Sequence, residues 1–374
     1  MSGRRNSNYY IDLLSHILLG TSQEAGLKNA GGAAAESAAL SISQMAGDFS
    51  EPDQSELWAL ANSHHVIVRA LPALQRWMLA VGNGKSARWA ADALEKEKTR
   101  ISHALSFLDR ICQALDRAGK VIVIKSLDHW PDLGSDLDLY TSADSAAVVA
   151  IMKDHFRAQV GERSWGDRLA NKWNFVVPGL AELVEVHVGR LGQTGEQIAI
   201  TDSLLKRSGD VQAGSYSFRV PAPEDRIMIS TLQRMYRHFY FRLCDIVDSA
   251  GLMESGEIDY VYLRSLSRPA GLWEGVATYL AIVSGYVQQY RGKGFSLPSF
   301  VSSAARFGSD ELHFRKNFLR IPIFPHSAKL YAAEWARLLL NGEFQNTLRL
   351  SLLPGLATAA TLEMKFTGSD KGIW

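Results

Sequence analysis

The chain has 374 residues, with 40 Lys plus Arg against 39 Asp plus Glu and a formal net charge of +1. At 47% hydrophobic and 21% charged residues it has the make-up of a folded soluble protein, which excludes a mainly disordered chain, a collagen and a coiled-coil rod. So even a charge balance gives no global attraction to nucleic acid or an anionic membrane, and no long duplex nucleic acid is expected as a partner.

The two cysteines, Cys112 and Cys244, make neither a disulfide framework nor a metal-binding pair, so a cytoplasmic setting is expected. Near the N-terminus Tyr10, Leu13, Leu14, Ile17 and Leu18 recur at helical spacing, while Asp12 and His16 interrupt the apolar core that a signal peptide would need. The longest apolar stretch, around Leu272–Tyr290, carries Glu274, Gln288 and Gln289, so no membrane span is expected. Gly26 to Gly47 is rich in Gly, Ala and Ser and reads as a linker. Residues 1–50 are therefore expected to be a helix and a flexible connection.

Residues 51–118 read as helical. Ser55 is a candidate N-cap, and Pro72 should start or kink a helix. From Ala87 to Arg117 the apolar positions Ile101, Leu105, Leu108, Ile111, Cys112 and Leu115 define one face of a long helix, ended near Gly119.

Residues 119–222 change texture. Val121–Ile124 is a β-branched run and Asp136–Thr141 alternates polar with apolar, so both read as strands. Ala143–Phe156 is helical. Asn174–Val177 and Leu183–Val188 flank Pro178-Gly179 and read as an antiparallel hairpin, and Tyr216–Val220 adds a short strand. From 223 to 374 helical periodicity returns, starting at Pro223-Glu224-Asp225 with one long helix expected over Asp225–Met253. Shorter helices are expected near Asp259–Leu266, Trp273–Gln289, Ala328–Leu340 and Asn346–Leu352. The fold class is thus α+β: a small mixed sheet flanked by helical segments on both sides.

Chemistry concentrates between Val121 and Thr141. Asp136 and Asp138 lie two apart on a strand, so both carboxylates leave the same face. Two such anions repel, and a hard divalent cation, Mg²⁺ or Mn²⁺, relieves that repulsion. Lys125 and Ser126 follow a strand end, and Gly134-Ser135 precede the acidic strand, a set suited to cradling phosphates. Glu185 sits mid-strand with Leu183 and His187 on its face, and a mixed sheet would bring it beside the aspartates as a third carboxylate. Arg234, His238 and Arg242 recur every four residues, as one helix face that would hold a triphosphate or an acidic acceptor, or else form a surface stripe paired with Asp245 and Glu224. Arg237 falls off that stripe. His187 is expected to hydrogen-bond a carboxylate, Asp245 and Asp248 to lie on a helix surface, and His64 and His65 to be surface or packing residues. Gly292-Lys293-Gly294 lacks the spacing of a phosphate loop.

The segment resembles the signature of the polymerase-β-like nucleotidyltransferase superfamily: an apolar strand, a Gly-[Gly/Ser] turn, nine to thirteen residues, then Asp-x-[Asp/Glu], with a third acid on a later strand. Ser126 stands in the serine place, nine residues (Leu127 to Ser135) intervene, and Asp136-Leu137-Asp138-Leu139 follows. Lys125-Ser126, Ser135–Leu139 and Glu185-Val186-His187 are most similar to the uncharacterised "nucleotidyltransferase family protein" group. The stretch from His238 to Leu263 resembles that group's helical C-terminal lobe, and the resemblance covers Ala87 to Leu280. Lys125 occupies the glycine place, and the third acid is Glu where Asp is more usual.

The resemblance implies a Mg²⁺- or Mn²⁺-dependent transferase. It would move a nucleoside monophosphate from a triphosphate, ATP among them, to an acceptor that is a small molecule, a peptide or protein, or an RNA end. Asp136, Asp138 and Glu185 would hold metal, and Lys125, Ser126, Gly134, Ser135, Arg234, His238 and Arg242 would hold nucleotide. The alternative is a module of the same fold that binds nucleotide or a protein partner without turnover.

Overall fold

The computed structural model describes residues 7–20, 49–191, 196–352 and 355. The Gly26–Gly47 linker lies outside them. The fold is α+β, with a small mixed sheet flanked by helices.

The N-terminal helix α1 (Ser7–Leu19) buries Tyr10, Leu13, Leu14 and Ile17, as its spacing requires. Helix α2 (Glu51–Ser63) starts earlier than expected. Ser50, not Ser55, caps it: the Ser50 side chain and the Asp53 carboxylate satisfy each other's backbone N–H groups, and Pro52 needs no partner in a first turn. Helix α3 (Ile67–Ala80) carries Pro72 inside it; the break falls earlier, where His65 has φ +52°.

Helix α4 (Gly84–Asp116) is 33 residues long. Its face changes company along its length: Ala87, Ala90 and Leu94 join one hydrophobic core, whereas Ile101, Leu105, Leu108, Ile111 and Leu115 join another. Gly119 follows it at a close approach. A Cβ there would stand 2.4 Å from the backbone nitrogen of Ala143, so only glycine lets the chain turn into the sheet.

The sheet has the order β1-β2-β5-β4-β3. Strand β1 (Val121–Val123) runs antiparallel to β2 (Asp136–Thr141). Strand β2 is parallel to β5 (Leu183–Val188), which is antiparallel to β4 (Lys172–Val176), the hairpin expected from its turn. Strand β3 (Gln159–Val160) closes the edge. Alternation sorts the residues by face. Leu137, Leu139, Val184, Val186, Val188 and Phe175 enter the second core beneath α4 and α5 (Ser145–Phe156). Asp136, Asp138, Glu185, His187, Lys172 and Asn174 take the opposite face. Helix α6 (Trp165–Leu169) precedes β4, and α7 (Glu196–Arg207) precedes a separate hairpin of strands β6 (Gly209–Ala213) and β7 (Tyr216–Val220).

After Val220 the single long helix expected over Asp225–Met253 is not formed. Helix α8 (Pro223–Gln233) ends in a wide π-type turn, Arg234–His238. Phe239 then takes φ +56°, a short strand β8 (Tyr240–Phe241) follows, and α9 (Leu243–Ser255) begins afresh. Strand β8 pairs with β10 (Phe318–Arg320), which pairs with β9 (His313–Arg315). Pairing across some 80 residues leaves no trace in local periodicity.

Helix α10 (Tyr260–Ser267), the apolar α11 (Trp273–Arg291), α12 (Ala328–Leu340) and a helix over 344–352 follow as expected. Residues of α1 to α3 and the first half of α4 share their core with α8, α9 and α11, so the two ends of the chain pack together across the sheet domain. No helix among the described residues is long and apolar enough to cross a membrane.

Candidate functional site

The polar face of the sheet floors a cleft of about 220 Å³. Its roof is the turn Arg234–His238 with Tyr240 and Arg242, and its rim includes Gly134, Ser135, Asp167 and His65. All ten residues singled out from the sequence line it, although they come from four separate stretches of chain.

The parallel pairing of β2 with β5 sets the chemistry. Asp138 stands directly opposite Glu185, and Asp136 opposite Leu183, so one carboxylate pair is in register and the other acid sits a step nearer the rim. Ligand atoms of Asp138, Glu185 and His187 lie within 4.8 Å of one another. Two lysines compensate them. Lys125 Nζ pairs with Asp138. Lys172 Nζ lies 2.9 Å from Glu185 and 3.0 Å from Asp167.

These charges separate the titrations. Burial favours the neutral form of Asp138, yet the Lys125 ammonium and His187 hold its carboxyl well below the usual carboxylate range. Glu185 is the member that yields. Burial, reinforced by the Asp138 charge, pushes it up to about 7 against the pull of Lys172 and Lys125. Burial and the same neighbour raise Asp136. Burial brings His187 down to about 4, so it is neutral at pH 7. His187 does not make the expected carboxylate hydrogen bond: Nε2 is 3.8 Å from Asp138 Oδ1, and neither ring nitrogen is hydrogen-bonded.

The turn after β1 carries strain. Lys125 has φ +61° and ψ −55°, and the Ser126 N–H donates across it to the Ile124 carbonyl at 2.6 Å. This is a γ-turn with positive φ, costing about 1–3 kcal/mol for a residue with a side chain. It places a lysine where the resemblance has glycine, and it aims the ammonium at Asp138. Ser126 lines the cleft, but its hydroxyl is committed: Oγ accepts from the Asp138 N–H at 2.8 Å and donates to the Asp136 carbonyl at 3.2 Å. It fixes the turn to the acidic strand. Ser135 Oγ donates to Asp136 Oδ2 at 3.3 Å.

On the roof, Arg234, His238 and Arg242 converge as expected, but through a π-type turn and a left-handed residue rather than along one helix face. Arg237, expected to fall away, lines the cleft as well. Arg234 is 1% exposed and its Nε lies 2.7 Å from Asp245, one of the pairings the sequence allowed. Arg242 Nη1 donates to His65 Nε2 at 2.7 Å. Burial and the surrounding arginines hold His238 well below the usual imidazole range.

Sequence reasoning missed Lys172, Asp167 and His65 as cleft residues. The register of β4 against β5, Lys172 beside His187 and Asn174 beside Glu185, is the signal that would have found Lys172. Asp245 and Asp248 are not on a helix surface as expected. Both are held in ion pairs: Asp245 is buried, and Asp248, half-buried, meets Arg69 at 2.5 Å and His129 Nδ1 at 2.5 Å. His64 is buried too. It accepts from the Leu243 N–H at 2.8 Å and meets the Asn317 carbonyl at 2.8 Å, joining the two ends of the chain.

The donor set suits a divalent cation. Two carboxylates in register offer hard oxygens, and Asp138 Oδ1 is buried without an aligned hydrogen bond. The roof offers guanidinium groups to a polyanion. Comparison of the chain with protein-family models, with curated proteins and with solved structures gives no match.

Proposed function

We propose that the protein is a metal-dependent nucleotidyltransferase, moving a nucleoside monophosphate from a nucleoside triphosphate to an acceptor with release of pyrophosphate. One observation carries the reading: Asp138 and Glu185, 47 positions apart in the chain, stand side by side on the floor of a basic cleft, with Asp136 at its rim. Mg²⁺ or Mn²⁺ held by these acids would neutralise charge developing on the reacting phosphate. Lys125, Arg237 and Arg242 bind the phosphates, and the strained Lys125 turn keeps an ammonium at the junction of metal and triphosphate. Gly134 and Ser135 shape the entrance. His238, held neutral, leaves the roof open to a base. With Arg234 committed to Asp245, its part is to stiffen the roof.

The test is incubation with each of four α-labelled triphosphates, Mg²⁺ or Mn²⁺ and a cell extract. Label appears in an acceptor, and Asp136→Asn and Asp138→Asn abolish it while the circular dichroism spectrum is unchanged. Full transfer by both variants refutes the assignment.

A second reading has an observation of its own. Lys125 and Lys172 each neutralise an acid without any metal, which suits a module that binds nucleotide or a protein partner and does not turn over. Calorimetry separates the two: triphosphate binding with no pyrophosphate released over hours favours the module.

A further inference from the structure

Resting on the transferase reading, we propose that the cation in this cleft is a first-row transition ion bound through the imidazole of His187 together with Asp138 and Glu185, in preference to Mg²⁺.

His187 occupies the next inward position on β5 after Glu185, between Tyr140 of β2 and Lys172 of β4. It is 4% exposed, lines the cleft, and has no hydrogen bond at either nitrogen. A buried neutral imidazole carries one donor and one acceptor, and leaving both unsatisfied costs about 1–3 kcal/mol for each group. Neither lysine relieves it: Lys125 serves Asp138, and Lys172 is shared by Glu185 and Asp167.

The spacing is too long for hydrogen bonding and suits a shared ion. Nε2 stands 3.8 Å from Asp138 Oδ1. Metal–ligand bonds of roughly 2.0–2.2 Å place two donors of one ion about 3–4 Å apart, depending on the angle between them. Asp136 is not part of this triad, being paired in register with Leu183. The ligand set is therefore two carboxylates and one imidazole. Imidazole nitrogen discriminates against Mg²⁺, which keeps oxygen ligands and several waters, and favours Mn²⁺ and the later ions. On binding, Lys125 gives up Asp138, and its ammonium is released toward the phosphates.

The experiment uses the full chain with Mn²⁺ and Mg²⁺ as the probes. Wild type should bind Mn²⁺ at least about tenfold more tightly than Mg²⁺ in calorimetry. Pulsed electron paramagnetic resonance on the Mn²⁺ form should show coupling to a ¹⁴N nucleus, a readout that needs no variant. His187→Gln should lose that coupling and about 10–100-fold in Mn²⁺ affinity, with Mg²⁺ affinity little changed. Mn²⁺ bound without nitrogen coupling, or equal affinity for both ions, overturns this proposal and leaves a carboxylate-only transferase site standing. No binding of either ion, with or without triphosphate, overturns both.

Discussion

Two clusters of similar composition sit within one molecule and behave in opposite ways. Asp138, Glu185 and His187 form one; His129, Cys244 and Asp248 form the other. In the second cluster each charge is answered. Asp248 bonds Arg69 and His129 Nδ1, His129 Nε2 lies 3.8 Å from Cys244 Sγ, and Arg69 also holds Asp132 at 2.8 Å. Burial works against the His129 charge, but Cys244 and Asp248 raise its pKa well above the usual range. The adjoining space is about 10 Å³, room for about one water. In the first cluster the imidazole is unsatisfied and the acids face a cleft many times larger. A network closed on itself fixes the loop between β1 and β2 against α3 and α9. A network left one partner short is where the proposed ion would bind.

The sharpest way to break the comparison is to remove one acid from each side. Asp138→Asn should lower labelled transfer at least about a thousandfold; it also releases Lys125 from its ion pair, but it keeps the side-chain volume, so the loss of stability should be smaller than that of a truncation. Transfer assays and calorimetric scans read the two effects. Asp248→Ala should do the reverse. It strands Arg69 and His129 in the interior, costs about 3–5 kcal/mol in urea unfolding, and leaves transfer per folded molecule near wild type.

A third buried acid sharpens the contrast, because it belongs to neither network. Asp225 is fully buried, neither carboxylate oxygen has an aligned hydrogen bond, and burial pushes its pKa up to about 6 despite Ser203 and Arg207. The folded state therefore holds that proton more tightly than the unfolded chain. The stabilisation is complete below about pH 4 and is lost as pH rises through about 6. Asp225→Asn should be more stable than wild type above pH 6, by up to about 3 kcal/mol, with the advantage vanishing below pH 4. Urea midpoints from pH 4 to 8 check the sign.

The smallest effect concerns the strained turn. Lys125→Gly and Lys125→Ala both lose the ammonium, so their difference isolates the backbone. Glycine should be the more stable by about 1 kcal/mol, because a Cβ is disfavoured at φ +61°. Equal stabilities would mean the turn relaxes when the lysine leaves.

Much of the floor was legible from the chain alone. A period of two put Asp136 and Asp138 on one face, the Pro178-Gly179 turn announced the hairpin, and Glu185 then had only one face on which to meet them. The roof was legible in its residues and not in its shape. Arg234, His238 and Arg242 have helical spacing, yet Phe239 breaks the helix because β8 finds its partner at Phe318–Arg320, far along the chain. The burial of Asp245 and His65 and the ion pairs of Asp248 were hidden for the same reason. Each is made tolerable by an arginine on another element, and single-sequence patterns carry no sign of such partners.

The shared core of the chain's two ends has a consequence for biosynthesis. Leu13, Leu14 and Ile17 of α1 are synthesised early, but α11, on which α1 packs, emerges only after the whole sheet has been made. At ribosomal speeds of about 5–20 residues per second, greasy helices wait tens of seconds without shelter. The sheet domain, whose second core closes by Val220, is free to fold during that interval and becomes the template on which the early and late helices meet.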